Sequence, residues 1–382
     1  MHILEIPSIF PPMGGLFCLD QAKALKNLGN EVRILSNVQL GISISFKDYL
    51  TLPYHRFEHS VDGITVYQSY QRGIPKVVSP NIRRWLHIVC SMFCHYVRCY
   101  GKPDILHAHA ANWAGYAAML IGQEYHIPYV ITEHSSRLVF EAGFGPAPSD
   151  AWEIPLLRKA YEHADMVIPV TSELVQNIAC YFGLDYRWKA ISNTIDVDYF
   201  QERERPLRKG RPFRFCCIAN YQPLKGYDVL FSAFKTLRSQ GVDAELHIAG
   251  RGTDTDECRS QQSAGIYAHG FIDKTGVRSL LYDCDAFVLA SRSEAQPLVI
   301  LEAMSTGLPV IATECVPQNL RIPGGCWIVS IDDANALSEK MKLMTEIPPI
   351  DGKALSERVR QIASPEVVGR QLEDVFREIL SK

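Results

Sequence analysis

The sequence has no apolar run near the roughly 18 residues that a membrane-crossing helix needs. Its opening, Met1-His2-Ile3-Leu4-Glu5-Ile6-Pro7, carries no basic leader ahead of an apolar core. The expectation is a chain without a spanning helix or secretory signal. The eleven cysteines include no Cys-x2-Cys pair, and Cys216-Cys217 are neighbours that cannot form an ordinary disulfide. Zinc knuckles and a disulfide framework are therefore not expected, and a reduced, cytoplasmic setting is. A complete Gly-x-Gly-x-x-Gly is also missing. Gly14-Gly15 and Gly250-Arg251-Gly252 stop short of it, and Ser36-Asn37 stand where a ribose-binding acid would end the second strand. That excludes a nicotinamide-dependent oxidoreductase. Neither sign of charge is in large excess, with 39 Lys and Arg against 42 Asp and Glu, net −3. A generally basic nucleic-acid binder is excluded, and no aromatic-basic motif suggests a nucleic-acid partner. One absence is local. Residues 63–103 contain no Asp or Glu, yet hold Arg72, Lys76, Arg83, Arg84, Arg98 and Lys102.

What is present is ordinary globular chemistry, 47% hydrophobic and 21% charged, over 382 residues, a length that suits two domains. Short β-branched runs alternate with helical stretches throughout. Strands are predicted at 3–6, 32–35, 64–67, 104–107, 129–132, 166–170 and 189–192, then at 214–218, 245–249, 286–289, 309–312 and 327–329. Helices are predicted between them, including 17–28, 81–100, 226–239 and 298–305, with 365–380 last. Continuous apolar strands alternating with helices predict an α/β fold of parallel sheets covered on both faces. The charged, proline-bearing stretch 201–213 reads as a linker. It divides a first domain, 1–200, from a second, 214–364.

The richest stretch is Ser291-Arg-Ser-Glu-Ala-Gln-Pro-Leu-Val-Ile-Leu-Glu-Ala-Met-Ser-Thr-Gly-Leu-Pro-Val-Ile-Ala-Thr313. A strand should end near Ser291 and a helix should open at Pro297, which fits a first turn because it needs no donor. Glu294 then sits in the turn and Glu302 inside the helix. The amides at the helix start suit a phosphate. Taken singly, each acid reads as a cap or a solvated helix residue.

As a whole, the string resembles the Glu-x7-Glu signature of retaining, family 4 type glycosyltransferases of GT-B fold. Other stretches are similar to the same family: Pro11-Pro-Met-Gly-Gly15, Pro103-Asp-Ile-Leu-His-Ala-His109, Ile127-Pro-Tyr-Val-Ile-Thr-Glu-His134, the turn at 193–200, Lys225-Gly226 and Ala249-Gly-Arg-Gly252. The resemblance implies two Rossmann-like domains whose parallel sheets face a central cleft. It also implies a C-terminal helix, 365–382, that crosses back to the first domain. A nucleotide-sugar such as a UDP- or GDP-sugar would bind the second domain, with a glycan or lipid-linked acceptor on the first. No metal and no other cofactor is expected. The product would be a surface polysaccharide or glycoconjugate.

In that frame Glu302 would hold the ribose hydroxyls and Glu294 the transferred sugar. Gln296, Pro297 and Leu298 would line the sugar and distal phosphate through backbone groups. Lys225 would neutralise the leaving diphosphate. Gly14 and Gly15 would admit the phosphates closely. His109, at a strand end, would contact the donor sugar or polarise a hydroxyl, with His107 two residues earlier as the alternative. Glu133 and His134 would face the acceptor. The chain departs from the family at Ile218-Ala-Asn220-Tyr, where an arginine is usual, so Asn220 or Ala219 takes that place and Arg251 or Arg292 would supply the lost cation. The acid-free segment 63–103 adds an expected docking face for an anionic inner membrane, with Trp85 beside the basic residues. Other readings are a nucleotide-sugar epimerase or other enzyme of the same fold, and a non-catalytic nucleotide-sugar binder.

Overall fold

The computed structural model describes residues 1–41, 46–52, 56–146, 151–203 and 210–382. The chain forms two units. Unit 1 comprises Met1–Thr194 with Pro365–Lys382, and unit 2 comprises Ile195–Ser364. The division falls at Thr194, before the expected linker, of which 204–209 lie outside the described residues.

Unit 1 runs β1 (His2–Pro7), α1 (Leu16–Asn27), β2 (Glu31–Leu40), α2 (Phe46–Thr51), β3 (Phe57–Val61), β4 (Ile64–Arg72), α3 (Val78–Tyr100), β5 (Ile105–His109), α4 (Tyr116–Tyr125), β6 (Tyr129–Glu133), α5 (Arg137–Phe144), α6 (Ile154–Glu162), β7 (Met166–Pro169), α7 (Ser172–Asn177) and α8 (Ala179–Phe182). Its sheet has the order β3-β4-β2-β1-β5-β6-β7. All pairs are parallel except β3 with β4. That hairpin is absent from the sequence reading, because β3 (Phe-Glu-His-Ser-Val) alternates instead of running apolar. Its turn, Asp62-Gly63, takes the two positive φ values that an Asp-Gly hairpin favours. The strand predicted at 189–192 does not form, and only Trp188 bridges to Val167.

Unit 2 runs β8 (Phe213–Ile218), α9 (Tyr227–Ser239), β9 (Ala244–Ala249), α10 (Asp256–Arg259), β10 (Ile266–Ala268), α11 (Lys274–Asp283), β11 (Ala286–Leu289), α12 (Leu298–Ser305), β12 (Val310–Thr313), β13 (Cys326–Val329), α13 (Ala334–Glu346) and α14 (Gly352–Ala363). Its sheet order is β10-β9-β8-β11-β12-β13, all parallel. The core strands β8, β11 and β12 are almost wholly buried, as their unbroken apolar sequences require.

The last helix, α15 (Pro365–Leu380), belongs to unit 1. Its buried face, Val368, Gly369, Leu372, Val375, Phe376 and Ile379, follows the i, i+3, i+4 spacing of an amphipathic helix. It packs on α1 so closely that a Cβ on Gly369 would stand 3.1 Å from the Ala24 carbonyl oxygen. Asn30 Nδ2 donates to Glu373 Oε1 at 3.1 Å at the end of this seam.

On α3 the structure corrects the sequence reading. The buried stripe is Asn81, Ile82, Trp85, Val89, Met92, Phe93 and Tyr96, so Trp85 is not on the basic face. Trp85 points inward, and its indole N–H donates to the Asn37 carbonyl at 2.6 Å. A buried aromatic with a polar edge usually finds a hydrogen-bond partner for that edge. Arg83, Arg84, His87 and Arg98 remain exposed. Among the described residues no helix is long and apolar enough to cross a membrane, and all eleven cysteines are free thiols.

Candidate functional site

In an open parallel sheet the strand order reverses at one point, and the strand carboxyl ends there leave a crevice. In unit 2 that point lies between β8 and β11. A cavity of about 340 Å³ sits there, lined by Asn220 after β8, Gly250 after β9, Leu289 of β11, Lys225, Glu294, Phe271 and the start of α12 from Pro297 to Val299. Lys225 Nζ lies 2.6 Å from Glu294 Oε1. Ser291 Oγ donates to the same oxygen at 2.7 Å. The turn before α12 thus aims one carboxylate at one ammonium on the cavity wall. α12 opens at Leu298, one position later than the sequence suggested, with Pro297 extended as its cap. Helix geometry leaves the amides of Leu298 and Val299 without intrahelical acceptors.

Not every expected donor-side residue gathers here. Asn220, Lys225, Glu294, Pro297 and Leu298 line the cavity. Gln296 is buried beside it, and Glu302 lies one turn into α12, half-buried and outside the lining. Arg292 is a correction. Its guanidinium donates to Asp228 and Asp332 at 2.7 Å each and to the Pro223 carbonyl. Each of its three nitrogens is engaged in this way and it does not line the cavity, so it is not placed as the replacement cation. Arg251 is better placed, with its guanidinium 4.8 Å from the centroid of Phe271 on the cavity wall. Phe271 was missed in the sequence, because it belongs to no charged motif.

In unit 1 the reversal lies between β1 and β5. There His109, at the end of β5, is buried, not open to a cleft. Its Nε2 lies 2.7 Å from Glu5 Oε2, and its Nδ1 lies 3.1 Å from His134 Nε2. His107 shares its side of the strand, with ring centroids 4.4 Å apart. His107 Nε2 pairs with Thr132 Oγ1 at 2.7 Å, while its Nδ1 stands 2.9 Å from Glu5 Oε2 but off line for a good hydrogen bond. Glu5 Oε1 is buried without a partner.

Burial alone would push the Glu5 carboxyl up, but the two histidines outweigh it and hold it at about 2. Burial, with the neighbouring His107, brings His109 down to about 4 despite Glu5. At neutral pH a carboxylate therefore faces a neutral imidazole. One proton arrangement satisfies both contacts: His109 donates Nε2–H to Glu5 and accepts at Nδ1 from His134 Nε2–H. His134, half-buried, stacks on Phe17 at 3.8 Å, and burial holds its pKa well below the ordinary value. Glu5, His107 and His109 are also the one group among the described residues that could converge on a cation. The 2.7 Å between Glu5 and His109 suits a shared proton, and both 2.7 and 2.9 Å are shorter than the roughly 3.3 Å between tetrahedral ligands about 2.0–2.2 Å from a metal. Glu5 was overlooked, although a lone acid inside an apolar strand is a signal in itself.

One further expectation from sequence needs revision. Glu133 does not line an acceptor surface. It is buried and accepts from the amides of Ala111, His134 and Ser135 and from the Tyr161 hydroxyl. Its work is to fix the turns after β5 and β6. Gly14 and Gly15 form the turn before α1 with φ of 113° and 82°. A Cβ on Gly15 would collide with the Ile9 carbonyl oxygen, so the turn needs glycine there.

A second cavity, in unit 1 and about 520 Å³, is lined by Ser8, Gln39, Gly73 to Val78, Asn81, Trp85, Asn112 and Trp113, among others.

Comparison with known proteins gives two family matches. Residues 15–199 match Glycosyltransferase Family 4, and residues 212–346 match Glycosyl transferases group 1. A putative teichuronic acid biosynthesis glycosyltransferase, TuaC of Bacillus subtilis, is 25% identical over 329 residues, 82% of this chain and 81% of its own. The putative colanic acid biosynthesis glycosyltransferase WcaL of Escherichia coli is 24% identical over 247 residues, 59% of each chain. Among solved structures, sucrose-phosphate synthase of Thermosynechococcus elongatus superposes with a TM-score of 0.77 at 19% identity, covering 100% of both chains. HepE of Anabaena, in complex with UDP and glucose, gives 0.71 at 16% identity over 99% of both. The two parallel-sheet units are those of the GT-B fold.

Proposed function

We propose, for a chain that belongs to the family 4, group 1 glycosyltransferases, a sugar transfer from a nucleotide-sugar held by unit 2 to a hydroxyl of an acceptor held by unit 1. The observation that carries this reading is the Lys225–Glu294 pair on the wall of the unit 2 cavity. An ammonium there can take up the charge of a leaving diphosphate. A carboxylate 2.6 Å away is then released to the hydroxyls of the transferred sugar. Arg251 and the opening amides of α12 add positive potential. The donor is a UDP- or GDP-sugar, in keeping with the UDP held by HepE.

Transfer retains the anomeric configuration. The leaving phosphate oxygen takes the proton of the acceptor hydroxyl, and that hydroxyl oxygen bonds to the anomeric carbon on the face the phosphate leaves. Glu302 holds the ribose. His109 acts from beneath, through its bond to His134, because both its ring nitrogens are engaged. Side chains supply the counter-charge, so no divalent metal is required.

The acceptor is a glycan or lipid-linked glycan of a surface polysaccharide. The names of TuaC and WcaL support this. The exposed Arg83, Arg84 and Arg98 on α3, in a stretch without acids, suit an anionic membrane on the cytoplasmic side.

The test is a nucleotide-sugar panel with mass spectrometry of the products, preceded by thermal shifts with UDP, GDP and ADP. A rise with one nucleotide and transfer from its sugar is expected. No rise with any nucleotide, and no turnover of any donor, would sink the reading.

A further inference from the structure

The 520 Å³ cavity of unit 1 lies at the carboxyl ends of β1, β2, β4 and β5, beside the point where the strand order reverses. Its polar groups are unevenly used. Asn81 is consumed internally, since its Nδ2 donates to the Ile74 carbonyl at 2.8 Å and its Oδ1 accepts from the Ile74 amide at 3.0 Å. Ser8 Oγ accepts from the Ala114 amide at 3.1 Å. Gln39 Oε1 accepts from Gln71 Nε2 at 3.1 Å, which leaves the Gln39 amide N–H groups as its outward chemistry.

Lys76 is the sole charged residue of the lining. It is exposed, and it has no ion pair among the described residues. No acid lies between positions 63 and 103 to claim it. What this wall has to offer a ligand is therefore the Gln39 N–H donors, the Asn112 side-chain amide and one cation. Trp113 and Trp85 add apolar ring surface, and Trp113 is itself backed by Trp152 at 6.2 Å. Rings against the apolar faces of a pyranose, with donors for its substituents, describe a sugar site. A lone unpaired cation without a compensating acid describes one for an acidic sugar.

We infer that this cavity binds an acceptor sugar that carries a carboxylate or a phosphate, with Lys76 and Gln39 as its anion contacts. The inference rests on the transferase reading and names the class of its acceptor.

The experiment titrates tryptophan fluorescence of the full chain with glucose, glucuronate, glucose 6-phosphate and inorganic phosphate. Glucuronate, glucose 6-phosphate or both should saturate at a concentration about tenfold or more below glucose. Which of the two does so separates a uronate from a phosphate. Lys76→Gln should erase the preference, Lys76→Arg should keep it, and Trp113→Phe should remove most of the signal. Equal saturation by glucose, a preference that survives Lys76→Gln, inorganic phosphate binding as tightly as either acidic sugar, or no saturation by any probe would overturn the inference. Donor turnover is read separately. An enzyme that turns over a nucleotide-sugar but shows no anionic preference loses this inference and keeps its transferase reading.

Discussion

Glu5 Oε2 and His109 Nε2 meet at 2.7 Å inside the unit 1 sheet, a carboxylate accepting from a neutral imidazole. Glu5 fixes which nitrogen of His109 carries the proton, and so which nitrogen is left for His134. Because the folded protein holds Glu5 near 2, it favours the charged carboxylate over a neutral group there. Glu5→Gln should therefore destabilise the protein by about 1–3 kcal/mol, measured by urea unfolding. It should also lower kcat at least tenfold with little change in KM. A variant as active and as stable as the wild type would remove Glu5 from the mechanism.

The same group sets an acid sensitivity. His109 titrates near 4 in the folded chain and near 6.5 when unfolded, so below pH 6.5 the unfolded state binds more protons. Glu5, at about 2 folded against 4.5 unfolded, acts in the same direction at lower pH. Stability is complete above pH 6.5 and declines as pH falls toward 4 and then 2. Thermal unfolding at pH 7.5, 6.5, 5.5 and 4.5 should show that decline. His109→Gln should flatten it between 6.5 and 4.5; an unchanged slope would count against this origin.

The Lys225–Glu294 pair predicts a division of labour. Lys225→Met should weaken UDP or GDP binding, seen as a lost thermal shift. Glu294→Gln should keep the shift and lose transfer by roughly 10²–10³-fold, the scale of removing one transition-state contact. Full transfer by Glu294→Gln would reject the assigned chemistry. Treatment with EDTA should leave the wild-type rate unchanged.

Gly15 has φ of 82°, and a side chain there meets the Ile9 carbonyl. Gly15→Ala should cost about 2 kcal/mol or more, from the left-handed backbone and the clash together. Chemical denaturation reads it directly, and a shift below 0.5 kcal/mol would show that the turn relaxes.

The basic face of α3 predicts membrane recovery. The wild type should float with vesicles rich in anionic lipid and not with neutral ones, and Arg83→Glu with Arg84→Glu should abolish flotation. Equal recovery with neutral vesicles would sink the idea.

Much of the fold was legible because buried parallel strands are written as apolar runs, as in Ala-Phe-Val-Leu of β11. β3 was not, since an edge strand buries only one face and reads as polar. The donor-side turn was legible through its motif, and the structure brings its Glu294 to one cavity wall with Lys225. Arg292 was misjudged because its partners, Asp228 and Asp332, come from distant turns that no local spacing reveals. Glu133 was misjudged for a similar reason, as its four donors converge only after β5, β6 and α6 have packed.

The membership of α15 in unit 1 carries a consequence for synthesis. The ribosome completes Met1–Thr194, then all of unit 2, before it delivers the helix that covers α1. At 5–20 residues per second that delay is on the order of ten seconds or more. Throughout it the nascent first unit must wait with the apolar side of α1 uncovered, while the second can already close. Newly made chains should therefore depend on chaperones for their beginning rather than their middle.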